Sequence, residues 1–230
     1  MRPSRWLAPT VVALMCAAPA CVPARGQGVV GSEVAVGGFD AALSPYGDWI
    51  LTSYGRAWRP WPAVVGAEFV PYVTGGRWVS TAWGWMFVTG WEWGWAPFHY
   101  GRWFYEPAWG WTWLPGSAWA PAWVEWRFGG GFVGWAPLGP PGWTWSWGSP
   151  AWCYVPARHL AAPEPWRHRV HGAEAARAHG ATALLPPASH GGVALPAGPP
   201  PGEVARISGR SVPRAEVRPP PPGQPAPRPA

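Results

Sequence analysis

The 230-residue chain contains no lysine and no asparagine, and it has only three cysteines. The absence of lysine excludes a lysine-based catalyst, and the absence of asparagine excludes N-glycosylation sequons and Asn-Gly hairpin turns. Three cysteines are too few for a disulfide-dense scaffold. The chain is instead rich in three residue types, with 33 Pro, 31 Gly and 23 Trp. This is not the composition of an average globular protein.

Positive charge is concentrated at the two ends of the chain. Counting Arg against Asp and Glu, residues 1–38 carry +2, residues 39–158 carry zero, and residues 159–230 carry +4, which gives the net charge of +6. Affinity for nucleic acid depends mostly on a basic surplus at the binding surface. The neutral middle of the chain lacks one, so no nucleic-acid partner is expected.

Residues 1–24 have the pattern of a secretory signal peptide. Arg2 and Arg5 precede an apolar stretch from Trp6 to Ala18, and small residues follow it. The apolar stretch is too short to persist as a membrane span. We therefore expect the protein to be exported.

Cys21 stands directly after the small residues of this signal, where a bacterial lipoprotein carries its acylated cysteine. The match is partial, because Ala18 replaces the usual leucine of a lipobox and Pro19 follows it. Cleavage after Ala20 or Ala24 without a lipid is the alternative. Contact with a membrane is expected only through such a lipid anchor, and a single acyl chain anchors weakly.

Tryptophan is concentrated in residues 39–158, which hold 21 of the 23. Many of these residues occupy every second position: Trp83 and Trp85; Trp91, Trp93 and Trp95; Trp109, Trp111 and Trp113; Trp143, Trp145 and Trp147. A period of two is the period of a β-strand, so each run is predicted to place its indoles on one face of a sheet.

A longer repeat predicts hairpins. Pairs of glycines eight or nine residues apart recur at Gly47 and Gly55, at Gly76 and Gly84, and at Gly101 and Gly110. That spacing fits a short strand, a turn and the start of the next strand. We predict an all-β fold, an antiparallel meander of about eight to ten short strands in a barrel-like or strongly curved sheet. Most indoles should be structural, with a minority exposed.

The predicted organisation has four parts. Residues 1–24 form the signal, 25–38 a linker and 39–160 the Trp-rich β domain. Residues 161–230 are rich in Pro, Ala, Arg and His, and such a composition cannot bury enough apolar surface to offset its ordering entropy. We expect this tail to be disordered, with polyproline II character, apart from a short helix between Ala173 and Leu185.

Several short sequence segments of the middle region resemble those of a known family. The most specific is the run from Trp93 to Trp103, and others are Pro121–Arg127 and Val133–Leu138. Over about residues 39 to 160, the chain resembles a Trp-rich bacterial domain of unknown function found in exported proteins of Gram-negative bacteria. The resemblance implies a location in the periplasm, in the outer membrane or at the cell surface. It implies no catalytic residues.

Catalysis has few candidates in the sequence. Glu106 and Glu125 lie among tryptophans, as the acids of a glycosidase would, but such glutamates can equally pair with Arg102 and Arg127 across strands. His99 could act as a general base or serve as a structural group. No nucleophile elbow, phosphate loop, dinucleotide motif or paired-cysteine motif is present. We expect no enzyme, no cofactor and no metal site, and we expect Cys153 to be a small buried residue rather than a nucleophile.

Binding is the better-supported class of function. Exposed indoles offer flat apolar faces that match the C–H faces of sugars, so a cell-wall or surface polysaccharide is the first expected ligand of this non-catalytic module. The alternative is a protein-interaction module whose aromatic groove takes Pro-rich segments, its own tail included. The candidate stacking residues are Trp91, Trp93, Trp95, Trp103, Trp109, Trp111 and Trp113. The candidate polar residues are His99, Arg102, Glu106, Glu125 and Arg127.

Overall fold

A computed structural model describes residues 37–190, 193–217 and 220. The predicted signal peptide, Cys21 and all but the end of the predicted linker lie outside these residues. The helices are α1 Gly37–Leu43, α2 Pro62–Val65, α3 Gly172–Ala181 and α4 Pro201–Ser208, with 3-10 turns at Ala157–His159 and Pro165–His168. The strands are β1 Gly47–Thr52, β2 Gly55–Pro60, β3 Gly76–Thr81, β4 Gly84–Thr89, β5 Arg102–Glu106, β6 Gly110–Leu114, β7 Val124–Gly129, β8 Phe132–Pro137, β9 Cys153–Pro156, β10 Ala183–Leu184, β11 Ala188–His190, β12 Val193–Leu195 and β13 Arg214–Ala215.

The predicted hairpins are confirmed. β1 pairs with β2, β3 with β4, and β5 with β6, all antiparallel, and β7 and β8 form a fourth hairpin. Two of the turns share one design. Thr52 and Thr81 each accept a hydrogen bond from the amide two residues later, while their hydroxyls donate to the carbonyls of Gly55 and Gly84. Both glycines have a φ near +108°, at 107° and 109°, which side chains rarely allow.

The strands form separate sheets rather than one. The orders are β1-β2-β6-β5, β10-β7-β8-β9 and β13-β3-β4, with β11-β12 as an additional pair. The prediction of a single barrel-like or curved sheet is therefore corrected, and no closed barrel is found among the described residues. The segments between the hairpins contain Pro97, Pro115 and Pro121. Proline cannot donate to a strand ladder, so pairing does not continue from one hairpin to the next.

Period-two spacing predicts the strands only in part. Trp111 and Trp113 lie on β6 as expected, but the run 91–95 forms a turn, and residues 143–146 are irregular and lead into a turn at Trp147. In the first run the amide of Gly94 donates to Trp91 and the amide of Ala96 donates to Trp93. These local bonds satisfy the backbone without a partner strand, which is why this alternation does not make a strand here.

The core consists largely of indoles. Of the tryptophans in the described ranges, 12 are buried, 7 are half-buried and 3 are exposed, in line with the expectation that most are structural. Many buried indole N–H groups donate to backbone carbonyls, which suits a side chain that needs a partner when buried. The pairs are Trp58 to Leu43, Trp103 to Pro97, Trp113 to Tyr100 and Trp135 to Tyr72.

Tyr72 connects several parts of this core. It is fully buried, its hydroxyl donates to the carbonyl of Phe98, and that hydroxyl accepts from the amide of Trp123. Its ring stacks on Trp78 with centroids 6.2 Å apart. Its φ of +62° is unusual for a residue other than glycine. Burial raises the pKa of its hydroxyl well above the ordinary value, so the donor keeps its proton.

The described part of the predicted tail is folded, which corrects the expectation of disorder. β10 adds to the edge of β7, and β13 runs parallel to β3. The predicted short helix is confirmed as α3. The tail alone has little apolar surface to bury, but it packs against the edge of β7 and against the indole of Trp85 in the Trp-rich region. Residues 221–230, with the last proline run, lie outside the described part of the chain.

None of the helices in the described ranges has the length and apolar character that a membrane crossing requires.

Candidate functional site

The indoles predicted to stack on a ligand divide between core and surface. Trp93, Trp103 and Trp113 are at most 2% exposed, so a ligand cannot reach their faces, and the expectation for these three is corrected. Trp91 and Trp95 are half-buried. Trp91 stacks on Trp93 with ring centroids 5.0 Å apart. Of the remaining two candidates, at the β5–β6 hairpin, Trp109 is exposed and Trp111 is only 9% exposed.

Exposed aromatic side chains surround a cavity beside the β5–β6 turn. Trp109 is 46% exposed and Tyr105 is 45% exposed. Together with Trp111 they line a cavity of about 280 Å³, whose far wall includes Glu68 and Phe69 from the segment after α2. The rings of Tyr105 and Trp111 meet edge to face at 5.6 Å. Trp109 is thus a surface indole, carried by the turn that the glycine spacing predicts.

A second cavity lies between the segment before β9 and the start of α3. It measures about 530 Å³, and Trp147, Trp152 and Tyr154 line it. Trp147 is 56% exposed, and Trp152 stacks on Tyr154 at 5.6 Å. Arg169 lines the same cavity and donates to the carbonyls of Pro150 and Trp152 at 3.0 and 2.8 Å. These bonds fix the wall of the cavity.

The two cavities adjoin, because Pro150 lines both of them. We call the combined surface the aromatic groove. Its aromatic residues are Tyr105, Trp109 and Trp111 on one side of Pro150, and Trp147, Trp152 and Tyr154 on the other. Turn hydrogen bonds shape the middle of the groove: the amide of Ser149 donates to Ser146, and the amide of Trp152 donates to Ser149.

Polar groups flank the first half of the groove. The guanidinium of Arg59 lies 5.0 Å from the ring centroid of Trp109 and pairs with Asp48 at 2.8 Å. Hydrogen bonds from Trp61 and Arg59 lower the pKa of the Asp48 carboxyl. The carboxylate therefore stays charged down to more acidic pH than usual, and it holds Arg59 over the indole.

The second half of the groove ends in a neutral pair. Tyr154 and His179 are joined by a 2.7 Å hydrogen bond between the hydroxyl and Nδ1. Burial raises the pKa of Tyr154 to about 12, against the opposing charge of Arg127. Burial and Arg127 lower the pKa of His179. At neutral pH the hydroxyl therefore donates to an uncharged imidazole.

His99 and Arg102, two of the predicted polar site residues, lie outside the groove. His99 is 4% exposed, and its Nδ1 lies 3.2 Å from the carbonyl of Ala120 and 3.0 Å from that of Pro121. Burial lowers the pKa of His99 to about 4, so the ring is neutral and Nδ1 carries the proton. Arg102 lies 3.8 Å from the ring centroid of Trp123. Both residues hold the segment before β7 in place.

The other polar candidates do not form the predicted pairs. Among the described ion pairs, none joins Glu106 or Glu125 to Arg102 or Arg127. Burial raises the pKa of Glu125 on β7. Arg127 donates instead to Thr182 and to the carbonyl of His179, where the tail packs on β7. Glu106 ends β5, and its carbonyl accepts from the amide of Trp109.

Cys153 is buried and free, as expected. Burial raises the pKa of its thiol to about 12, which leaves it protonated and unreactive at neutral pH. Within the described ranges, no group of three or more His, Cys, Asp or Glu side chains has the geometry to hold a metal ion.

Half of the groove was not predicted from the sequence. Trp147, Trp152 and Tyr154 are not among the predicted stacking residues, and neither is Tyr105. A signal was present at Gly148-Ser149-Pro150, because this turn sequence follows directly on Trp147. A turn at that point exposes the last indole of the run.

Comparison with known proteins gives one match. Residues 40–142 match the model of a family of unknown function, DUF6600. No match was found among the curated proteins or among the solved structures. The matched range contains the four hairpins and the first half of the aromatic groove. Over this range the chain is similar to a family to which no function has been assigned.

Proposed function

We propose that the protein is an exported, non-catalytic module of the bacterial cell envelope whose aromatic groove binds a cell-wall or surface polysaccharide. The observation that carries this proposal is that two cavities lined by aromatic side chains meet at Pro150. A continuous groove suits a chain-like ligand, whereas scattered exposed rings would suit a purely structural role. The export signal of residues 1–24 supports the location in the envelope.

The chemistry of the groove favours sugars. Flat, exposed faces of Trp109 and Trp147 match the apolar faces of pyranose rings. Arg59 and Asp48 lie next to Trp109 and can exchange hydrogen bonds with sugar hydroxyls. Arg169, which lines the second cavity, supplies a further polar group. A few polar groups around an apolar wall are typical of sites that orient a ligand.

Substituting the two exposed groove indoles tests the proposal. We expect Trp109→Ala and Trp147→Ala each to weaken binding to purified sacculi or surface polysaccharide by about tenfold, or about 1.4 kcal/mol, because each removes one stacking face. Co-sedimentation of the full chain with the insoluble polysaccharide gives the affinity. Neither change should alter stability by more than about 0.5 kcal/mol, since both rings are exposed.

Tyr54→Ala is the control, because Tyr54 is an aromatic side chain that is 40% exposed and lines neither cavity of the groove. It should bind like the unaltered protein. If both groove variants bind as tightly as the Tyr54 variant, the polysaccharide proposal is wrong.

A second candidate function rests on a different observation. Residues 195–200 of the chain, which we call the proline strap, lie across Trp85 and Trp126. The indole of Trp85 donates to the carbonyl of Pro199 at 2.8 Å, and that of Trp126 donates to Pro196 at 3.2 Å. Indole donors against proline carbonyls are the chemistry of polyproline recognition. We propose as the alternative that this surface binds Pro-rich segments, with the strap as its resident occupant.

Gly198 provides the test of this alternative. Its φ is +81°, and a Cβ there would lie 2.8 Å from Trp85 Cδ1 and 2.9 Å from Trp126 Cε2. We expect Gly198→Val to displace the strap and to expose both indoles, which shifts the tryptophan emission to longer wavelength. A labelled synthetic peptide of residues 193–203 should then bind the variant and not the unaltered protein, as measured by fluorescence anisotropy.

Gly209→Val is the matched control, because Gly209 has a similar φ of +66° but no atom within 4 Å of the added Cβ. It imposes the same backbone strain and leaves the strap in place. Failure of the Gly198 variant to bind the peptide, with its strap displaced, would contradict the alternative.

A further inference from the structure

A positively charged cavity lies away from the aromatic groove, where the tail packs beside the end of β9. It measures about 420 Å³. Its walls come from the 3-10 turn Ala157–His159, from His168, and from α4 with the segment that follows it. Four basic side chains line it, namely Arg158, His159, His168 and Arg210, and the described lining includes no acidic residue.

The histidines of this cavity are held in close contact. The rings of His159 and His168 stack in parallel with centroids 3.7 Å apart and an interplanar angle of 7°. Nε of Arg158 donates to Nε2 of His159 at 3.1 Å, so Nε2 has no proton of its own and Nδ1 carries it. One guanidinium and two imidazoles therefore share a single corner of the cavity.

The basic side chains of this cavity affect the protonation of His159. Burial and the charges of His168, Arg158 and Arg210 lower the pKa of His159, because each disfavours a further proton. An anionic ligand bound here would reduce the electrostatic repulsion among these basic side chains.

Acidic residues on the flanking elements are engaged elsewhere. Glu164 pairs with Arg167 at 2.7 Å, and Glu203 on α4 pairs with Arg206 at 2.8 Å. Each is an i, i+3 pair that occupies the carboxylate. The four basic side chains of the cavity thus have no acidic counterpart among the described ion pairs.

We propose that this cavity binds phosphate, either free or as a monoester on a small organic group. Guanidinium groups present planar, paired N–H donors that match the oxygens of a phosphate. Arg158 and Arg210 supply such donors, and the hydroxyl of Ser211 adds another. The cavity is larger than a phosphate ion requires, which leaves room for the organic group of an ester. The site is independent of the aromatic groove and does not depend on the polysaccharide proposal.

Isothermal titration of the full chain with inorganic phosphate and with glycerol 3-phosphate tests the proposal. We expect saturable binding of at least one of them. Arg158→Gln and Arg210→Gln should each weaken it by about tenfold, because each removes charge-assisted hydrogen bonds. Tighter binding of the ester than of the free anion would identify the monoester as the ligand, and equal affinity would identify the phosphate group alone. Arg177→Gln removes the same charge from an exposed site on α3 and should bind within about twofold of the unaltered protein.

A second measurement reports on the site itself. In NMR spectra of the unaltered protein, phosphate should shift the ring resonances of His159 and His168 and raise the pKa of His159, since an anion favours the charged imidazole. The proposal fails if neither probe binds. It fails equally if binding is as strong in the Arg158 and Arg210 variants as in the Arg177 variant, or if the two histidines do not respond.

Discussion

Replacing Trp135 with alanine is expected to lower the free energy of unfolding by about 3–5 kcal/mol. Trp135 is fully buried on β8, and its ring centroid lies 5.6 Å from that of Trp78 on β3 and 6.0 Å from that of Trp126 on β7. Its indole also donates to the carbonyl of Tyr72 at 2.9 Å. The substitution therefore leaves a cavity between two sheets and removes the partner of a buried carbonyl.

Urea unfolding followed by circular dichroism measures this loss. Trp135→Phe separates its two causes, because phenylalanine keeps much of the ring but lacks the N–H donor. It should cost about 1–3 kcal/mol, the range for a buried group left unpaired. Trp61→Ala, at an exposed indole, should stay within about 0.5 kcal/mol of the unaltered protein. A loss below about 1 kcal/mol in the Trp135→Ala variant would mean that this indole does not hold the sheets together.

The hairpins could be predicted because the information for them is local. Gly55 and Gly84 adopt backbone angles that other residues rarely take, and the threonine three residues before each glycine closes the turn. Such turns depend on four consecutive residues, so the glycine spacing is sufficient to find them. The same holds for Trp111 and Trp113 on β6, whose alternation agrees with their strand.

The sheet arrangement could not be predicted, because it depends on contacts between distant segments. Nothing local distinguishes the alternation at Trp91 and Trp93, which form a turn, from that at Trp111 and Trp113. The tail shows the same limit. Its composition predicts disorder when considered alone, but Trp85 and Trp126 supply donors for its proline carbonyls. Folding of the tail is thus decided by residues about 70 and 114 positions earlier in the chain.

Like the fold, the candidate site could be predicted only in part from the sequence. Trp109 could be identified because it stands in a turn, where side chains reach solvent. Trp113 belongs to the same alternating run as Trp109, but its side chain is buried in the core. Spacing assigns an indole to a face and does not reveal which face is covered. Trp147 and Tyr154 reach the groove from a later part of the chain, so only the tertiary structure brings them together.

Acidification from pH 7 to pH 4 is expected to destabilise the protein by about 3 kcal/mol through His99 alone. Burial lowers the pKa of His99 from 6.5 to about 4 in the folded state. Between these two values the unfolded chain binds a proton that the folded protein excludes, so stability falls as the pH decreases through this window. The contribution is fully present above pH 6.5 and is lost by about pH 4.

His99→Asn isolates this effect, because its amide nitrogen can take the place of Nδ1 and donate to the carbonyls of Ala120 and Pro121. The variant should be less stable at pH 7, since it leaves space where the ring was, but its stability should depend less steeply on pH. Urea unfolding at intervals between pH 7 and pH 4 gives both curves. Glu125 and His179 also titrate with shifted pKa values, but they are common to both proteins and cancel in the difference. Parallel curves would show that His99 is not held neutral by its burial.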